Sequence, residues 1–193
     1  MAKDLSGIAR ALRRAAETAG DPAGWSEESD VDPADFVDEG FVPDESGHEF
    51  WGSRGSGLLF VRDHPEEGGQ LLAVHRSSSV EEPDTWGTTG GAVPRGETND
   101  FASAVRETRE EIGSIPKYRP VRQYVWKAPA PGTFQYTTFI LECLDADWLP
   151  DAFNWEAQDA RWVSLNEAAS LDLHFGLSDL LNKLGESIFP RVP

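Results

Sequence analysis

"GGAVPRGETNDFASAVRETREEIG" spans Gly90 to Gly113. It holds a glycine pair, an isolated Glu97, and then Arg106-Glu107 followed three residues on by Glu110-Glu111. The spacing predicts a helix over residues 99–112. Asn99 is a good N-cap, Asp100 adds a negative charge to the first turn where it is favoured, and Gly113 ends the helix. At about 100° per residue, with Glu107 as zero, Glu111 falls near +40° and Glu110 near −60°. The three carboxylates therefore share an arc of roughly 100°, while Phe101, Val105, Thr108 and Ile112 lie together on a neighbouring face that can dock on a sheet. Like charges at this spacing cost about a few tenths of a kcal/mol even when exposed, and more when partly buried. Arg106 and Arg109 offset part of that cost. A hard divalent cation with oxygen ligands would offset the rest. The helix alone leaves two readings open, a solvated glutamate-rich face or a metal site.

Working outward, the flanking segments read as a mixed sheet. Short apolar runs at 57–62 and 70–76 are separated by the turn "DHPEEGG", and strands are expected at 121–128, 133–144 and 160–165. Residues 77–91 read as a loop rich in Ser, Thr and Gly. Ser164 to Glu167 has capping-box spacing, and a last helix is expected after Gly176. Upstream, Leu5, Ile8, Ala9 and Leu12 predict a helix over residues 4–19. Residues 21–50 then carry eleven acids and no Lys or Arg. Their bland reading is an acidic, partly ordered arm; the sharper ones are a dimer-exchange arm or a lid. Trp25, Phe36, Phe41, Phe50 and Trp51 imply that parts of it pack on something. The order of strands, helix, strands, helix favours a mixed sheet with helices packed against it.

Composition sets limits. The 193 residues carry 34 acids against 17 bases, a formal net charge of −17. A chain this acidic is a poor partner for duplex DNA or an anionic membrane. No run of about 18 apolar residues is present, so no membrane span is expected. Cys143 is the single cysteine, which excludes an internal disulfide and reads as a small core residue. A cytoplasmic setting is the expectation.

The opening stretch resembles the box of the Nudix hydrolase family, G-x5-E-x7-R-E-U-x-E-E-x-G-U, with U a bulky apolar residue. Gly91, Glu97, Arg106, Glu107, Glu110, Glu111 and Gly113 fill all seven fixed positions. There are three departures. Eight residues, not seven, separate Glu97 from Arg106, and the extra one is assigned to Thr98 in the loop, which leaves the helix in register. Thr108 and Ser114 stand at the two apolar positions, with Ile115 available to take over the buried role of the second.

The resemblance implies an α/β/α sandwich with a mixed sheet over residues 51–193, preceded by an N-terminal helix and acidic arm over 1–50. It implies divalent-metal-dependent hydrolysis of a nucleoside diphosphate linked to another moiety, with Mg²⁺ or Mn²⁺ as cofactor. Carried over residue by residue, Glu107, Glu110 and Glu111 match the metal-binding and catalytic glutamates, and the carbonyl of Gly91 matches a metal-ligand position. Glu97 and Arg106 match a supporting ion pair. A further ligand or base is expected from the loop at 154–163, with Glu156 first and Asp159 and Glu142 behind it. Arg76 and Arg95 flank the site loop as candidate phosphate contacts. Trp86, with Trp126, Phe134 and Tyr136, is a candidate for stacking on a base. Pro129, in the turn "APAPG", lies near a proline offset found in some ADP-ribose-cleaving members. The four histidines, in no metal-ligand spacing, read as surface or satisfied residues. The expected partner is a small-molecule nucleotide, and a homodimer is possible through the arm. The rivals are a Nudix-fold regulatory module that binds a nucleotide with little turnover, and an acidic interaction protein whose glutamate-rich helix is only solvated.

Overall fold

The computed structural model describes residues 25–29, 41–43, 49–51, 53–128 and 134–190. The helix expected over 4–19, most of the acidic stretch and Pro129 lie outside these residues. Two short strands, β1 (Phe41–Pro43) and β2 (Glu49–Trp51), pair antiparallel on their own. The main sheet is built from β3 (Arg54–His64), β4 (Gly68–Arg76), β5 (Trp86–Gly87), β6 (Thr89–Ala92), β7 (Tyr118–Lys127), β8 (Gln135–Cys143) and β9 (Ala157–Ser164). Its principal order is β5-β4-β3-β8-β7, with β6 paired to β3 and β9 paired to β4. The pairing of β3 with β8 is parallel, and the others are antiparallel.

The central strands are apolar on both faces because both faces are covered. Alternation sorts their side chains between two cores. Leu58, Phe60, Leu72, Val74, Phe139 and Leu141 face one cluster, joined by Phe101, Val105 and Ile112 of α1 (Asp100–Ile112). Leu59, Val61, Leu71, Ala73 and Ile140 face the other, joined by Leu177 and Leu180 of α3 (Phe175–Leu184). A short α2 (Leu165–Ala168) starts with the expected capping box, since Ser164 and Glu167 bond reciprocally. The sheet with helices on both faces is the α/β/α arrangement the sequence implies. The loop expected over 77–91 contains β5 and most of β6. Two to four residues leave too short a pattern for alternation to register.

Two of the departures from the box have a local explanation. Thr108 is fully buried against the sheet, and its hydroxyl shares a 2.7 Å hydrogen bond with that of Thr89 on β6. Ser114 is exposed and donates through its N–H and Oγ to Asp151, while Ile115 packs on the first core. The apolar contact is thus moved one residue along the chain. The helix starts after Asn99, whose Oδ1 accepts the Ala102 N–H at 3.3 Å, so the extra residue before it does not disturb the register of α1.

Candidate functional site

α1 lies against β6, and this contact sets the site. Helical spacing turns Glu111 inward, leaves Glu107 at the boundary and Glu110 outward. Glu111 is buried, and its Oε1 accepts the Gly90 N–H at 2.8 Å. The Glu107 side chain is 16% exposed, against 56% for Glu110. The shared arc expected from the wheel is therefore graded from core to solvent. A methyl on Gly91 would stand 2.6 Å from the Glu107 carboxylate, so only a residue without Cβ allows this approach. Gly90 has φ +143°, and a methyl there would meet the Ser56 carbonyl at 2.3 Å.

The electrostatics follow from this burial. Glu111 is pushed up to about 8, first by loss of water and then by the nearby Glu156 and Glu107 charges; the Gly90 N–H and Arg76 only partly offset this. Burial also raises Glu107, helped by Glu110 and Glu156 and opposed by Arg106. Arg106 pairs with Glu107 and, at 3.0 Å, with Glu110. Burial opposes the Arg106 charge, but the two carboxylates outweigh it and its pKa is raised. Glu156 sits opposite on the loop before β9, with its Oε2 held by the Asn154 amide at 3.0 Å. The Asn154 N–H donates to the Glu111 carbonyl at 3.1 Å, which ties that loop to α1.

Glu97 is 2% exposed. Its carboxylate accepts the Asn99 N–H at 2.7 Å and the Ser29 hydroxyl, and its carbonyl accepts from Arg54. The segment 25–29 wraps this region. Asn99 Nδ2 donates to the carbonyls of Ser26 and Glu28, and Glu27 bonds both Arg109 and Tyr118. Trp25 stacks on Phe101 at 5.2 Å and meets Phe139 edge-on at 4.9 Å.

The site has oxygen donors of the kind a hard cation prefers, and crowded buried carboxylates that gain from one. Among the described residues, though, no three acidic, histidine or cysteine side chains are gathered closely enough to hold an ion as they stand. The reason is visible in the pairings, since Arg106 holds both Glu107 and Glu110. Glu142 is bound to Arg119. Asp159 is exposed on β9.

Two cavities adjoin α1 and β6. One, of about 340 Å³, is lined by Glu111, Glu156, Arg76, Trp155 and the Gly90–Gly91 pair. The other, of about 420 Å³, has walls of Trp126, Phe134, Tyr136 and Phe175, with Glu82 and His174 in its lining. Arg76, Glu81, Thr88, Gly90 and Gly91 line both. Arg76 and three of the four aromatic candidates therefore face these cavities. Trp86 does not: it is buried beneath His75, stacked at 4.4 Å, with the Arg161 guanidinium 4.3 Å from its ring centroid. Arg95 is exposed in the turn before Glu97 and lines neither cavity. Glu82, Phe175 and His174, the last read from the sequence as a surface or satisfied residue, are lining residues that the sequence reading did not place at the site. The only signal was a histidine one residue before a helix start, the place where an N-cap stands.

Comparison with known proteins bears on the family and the fold. A putative 8-oxo-dGTP diphosphatase 3 of Mycobacterium tuberculosis is 34% identical over 145 residues, which cover 72% of this chain and 65% of that protein. This chain thus spans a little under two thirds of that relative's length. A nucleoside triphosphatase NudI of Enterobacter sp. is 32% identical over 116 residues, 55% of this chain and 81% of the relative. Among solved structures, the Nudix hydrolase RenU of M. smegmatis superposes with a TM-score of 0.68 at 30% identity, covering 80% of this chain and 99% of that one. The profile of the NUDIX domain matches residues 55–184, from the start of β3 to the end of α3. A sheet and helix arranged in this way, with the glutamate box at their contact, mean that the chain belongs to the Nudix family.

Proposed function

We propose that the protein is a divalent-metal-dependent hydrolase that cleaves a pyrophosphate bond in a nucleotide, with residues 51–193 as the catalytic domain and a cytoplasmic setting. The observation that carries the reading is the common wall of the two cavities. An acidic chamber over Glu111 opens beside an aromatic chamber of a size suited to a small ligand, so diphosphate and base have adjacent places. The names of the relatives, a diphosphatase of 8-oxo-dGTP and a nucleoside triphosphatase, favour a nucleoside triphosphate as the substrate class.

Glu107, Glu110, Glu111 and the carbonyl of Gly91 would hold Mg²⁺ or Mn²⁺, with Glu107 and Glu110 turning from Arg106 to do so. Such an ion, when bound, neutralises the diphosphate and lowers the pKa of water. Arg76, at the boundary of the two chambers, binds the phosphate next to the nucleoside. Glu156, oriented by Asn154, accepts the proton of the attacking water. Trp126, Tyr136 and Phe175 give the base apolar faces, and Glu97 and Arg106 support α1. The second reading, a nucleotide-binding module with little turnover, is favoured by the engagement of Arg106 with two of the three glutamates.

Release of phosphate or pyrophosphate from a nucleotide panel with Mg²⁺ and with Mn²⁺, run beside Glu111→Gln, separates the readings. We expect turnover of at least one compound and a loss of about a hundredfold or more in the variant. Equal rates from both proteins would remove Glu111 from its role, and no turnover on any compound would leave the binding module.

A further inference from the structure

The aromatic chamber ends on a polar pair whose chemistry selects a base. Arg76 donates through Nε and Nη2 to the Glu81 carbonyl at 3.1 and 2.7 Å, and Thr85 Oγ1 donates to the Glu82 carbonyl at 2.7 Å. These bonds hold a turn in which Glu82 and Asp84 both take left-handed backbone, with φ +46° and +59°. Non-glycine residues in that region are strained, and such strain collects at ligand clamps. The Glu82 carboxylate takes one bond through Oε2, from the Phe175 N–H at 3.2 Å. Among the described residues nothing donates a hydrogen bond to Oε1. His174 Nδ1 accepts the Gly176 N–H at 3.1 Å, so the neutral ring carries its proton on Nε2. Burial, with Arg76 nearby, lowers His174 to about 4, which keeps the ring neutral near pH 7. Its Nε2 lies 3.7 Å from Glu82 Oε2, too far for a hydrogen bond. One donor and one acceptor-only carboxylate thus stand side by side in the chamber lining.

We propose that Glu82 and His174 read the Watson–Crick edge of a guanine-type base, Glu82 accepting from the N1–H and the 2-amino group and His174 donating to O6. Guanine alone among the common bases offers two adjacent donors beside an acceptor. A carboxylate is acceptor-only and matches the two donors as a fork. Adenine presents an acceptor at N1, and cytosine presents one at N3, where guanine has a donor, so each leaves part of the carboxylate unpaired on binding. The strained, hydrogen-bonded turn holds Glu82 in place before the ligand arrives, which reduces the ordering cost of binding.

The inference rests on the nucleotide reading above, so its test avoids turnover. Quenching of tryptophan fluorescence, with Trp126 in the chamber wall, is titrated with GMP, IMP, AMP and CMP in the absence of divalent metal. The expected order is GMP tightest, by about tenfold or more over AMP and CMP, with IMP between because it lacks the 2-amino group. Glu82→Gln, which places an amide donor against guanine donors, should weaken GMP about tenfold and leave AMP within about twofold. Equal binding of GMP and AMP by the unaltered chain, no measurable binding of any of the four, or a preference that survives Glu82→Gln would each overturn the proposal. The IMP comparison needs no mutant and stands even if Glu82→Gln fails to fold. Guanine-selective binding with no release of phosphate or pyrophosphate from any compound of the panel would sink the hydrolase reading and spare this one. Release from every nucleotide alike would do the reverse.

Discussion

Glu111 presents its carboxyl to a region with one good donor, the Gly90 N–H, and two neighbouring acids. Its folded pKa of about 8 lies above the ordinary value of 4.5. The folded state therefore binds a proton that the unfolded chain releases between those values, and the stability this provides is present below pH 4.5 and is lost as pH rises through about 8. Metal-free protein should melt at progressively lower temperature from pH 5 to 8.5, by roughly 2–4 °C per kcal/mol lost in a chain of this size. Glu111→Gln, which cannot ionise, should flatten that profile, and Mg²⁺ should restore the melting temperature of the unaltered chain at high pH. Calorimetry with and without chelator reads both. Gly91→Ala is the companion test. The added methyl meets the Glu107 carboxylate, so phosphate release should drop by about tenfold or more, with a smaller change in melting temperature than Glu111→Gln produces. A normal rate from Gly91→Ala would show that Glu107 need not sit where it does.

At the scale of the element, α1 shows what the sequence made legible. Its cap, its docking face and its glutamates follow from local rules, and Asn99, Phe101, Val105, Thr108 and Ile112 lie where the periodicity puts them. The central strands were legible for the same reason, since β3, β4 and β8 each carry a short apolar run, at 58–61, 71–74 and 139–141. Less local facts were not. The engagement of Arg106 with Glu107 and Glu110 depends on rotamers, and the burial of Trp86 between β4 and β9 depends on which strands meet. The meeting of Glu82 with His174 joins residues 92 positions apart, through a turn whose left-handed residues are not glycine. Asn99 shows how one residue serves both kinds of contact, because it caps α1 and also grips two carbonyls of segment 25–29. Asn99→Ala should cost about 1–2 kcal/mol in urea denaturation. The same change in a Trp25→Ala background should cost less, because the segment it grips is already loosened. Strict additivity of the two would show that cap and segment are independent.

Across the whole molecule, the first core is completed from outside the NUDIX domain match. Trp25 lies 30 residues before that match begins at residue 55, yet it packs on Phe101 and Phe139. Trp25→Ala should lower unfolding free energy by about 2–4 kcal/mol. Mn²⁺ binding by the folded fraction should change little, since Trp25 touches the docking face of α1 and not its carboxylates. Among the described residues no helix is long and apolar enough to cross a membrane.

The parallel pairing of β3 with β8 has a kinetic consequence. It joins Arg54 to Gln135 and Val61 to Glu142, so a loop of about 80 residues must close before the middle of the sheet exists. Closure on that scale is entropically costly and slows folding relative to the hairpin-like contacts of β3 with β4. The carboxylates of α1 stand against β6, which pairs with β3 in the same sheet. Nucleotide binding should therefore return in stopped-flow refolding no earlier than the slowest fluorescence phase, and a nascent chain released before β8 emerges would leave the two hydrophobic faces of β3 open to aggregation.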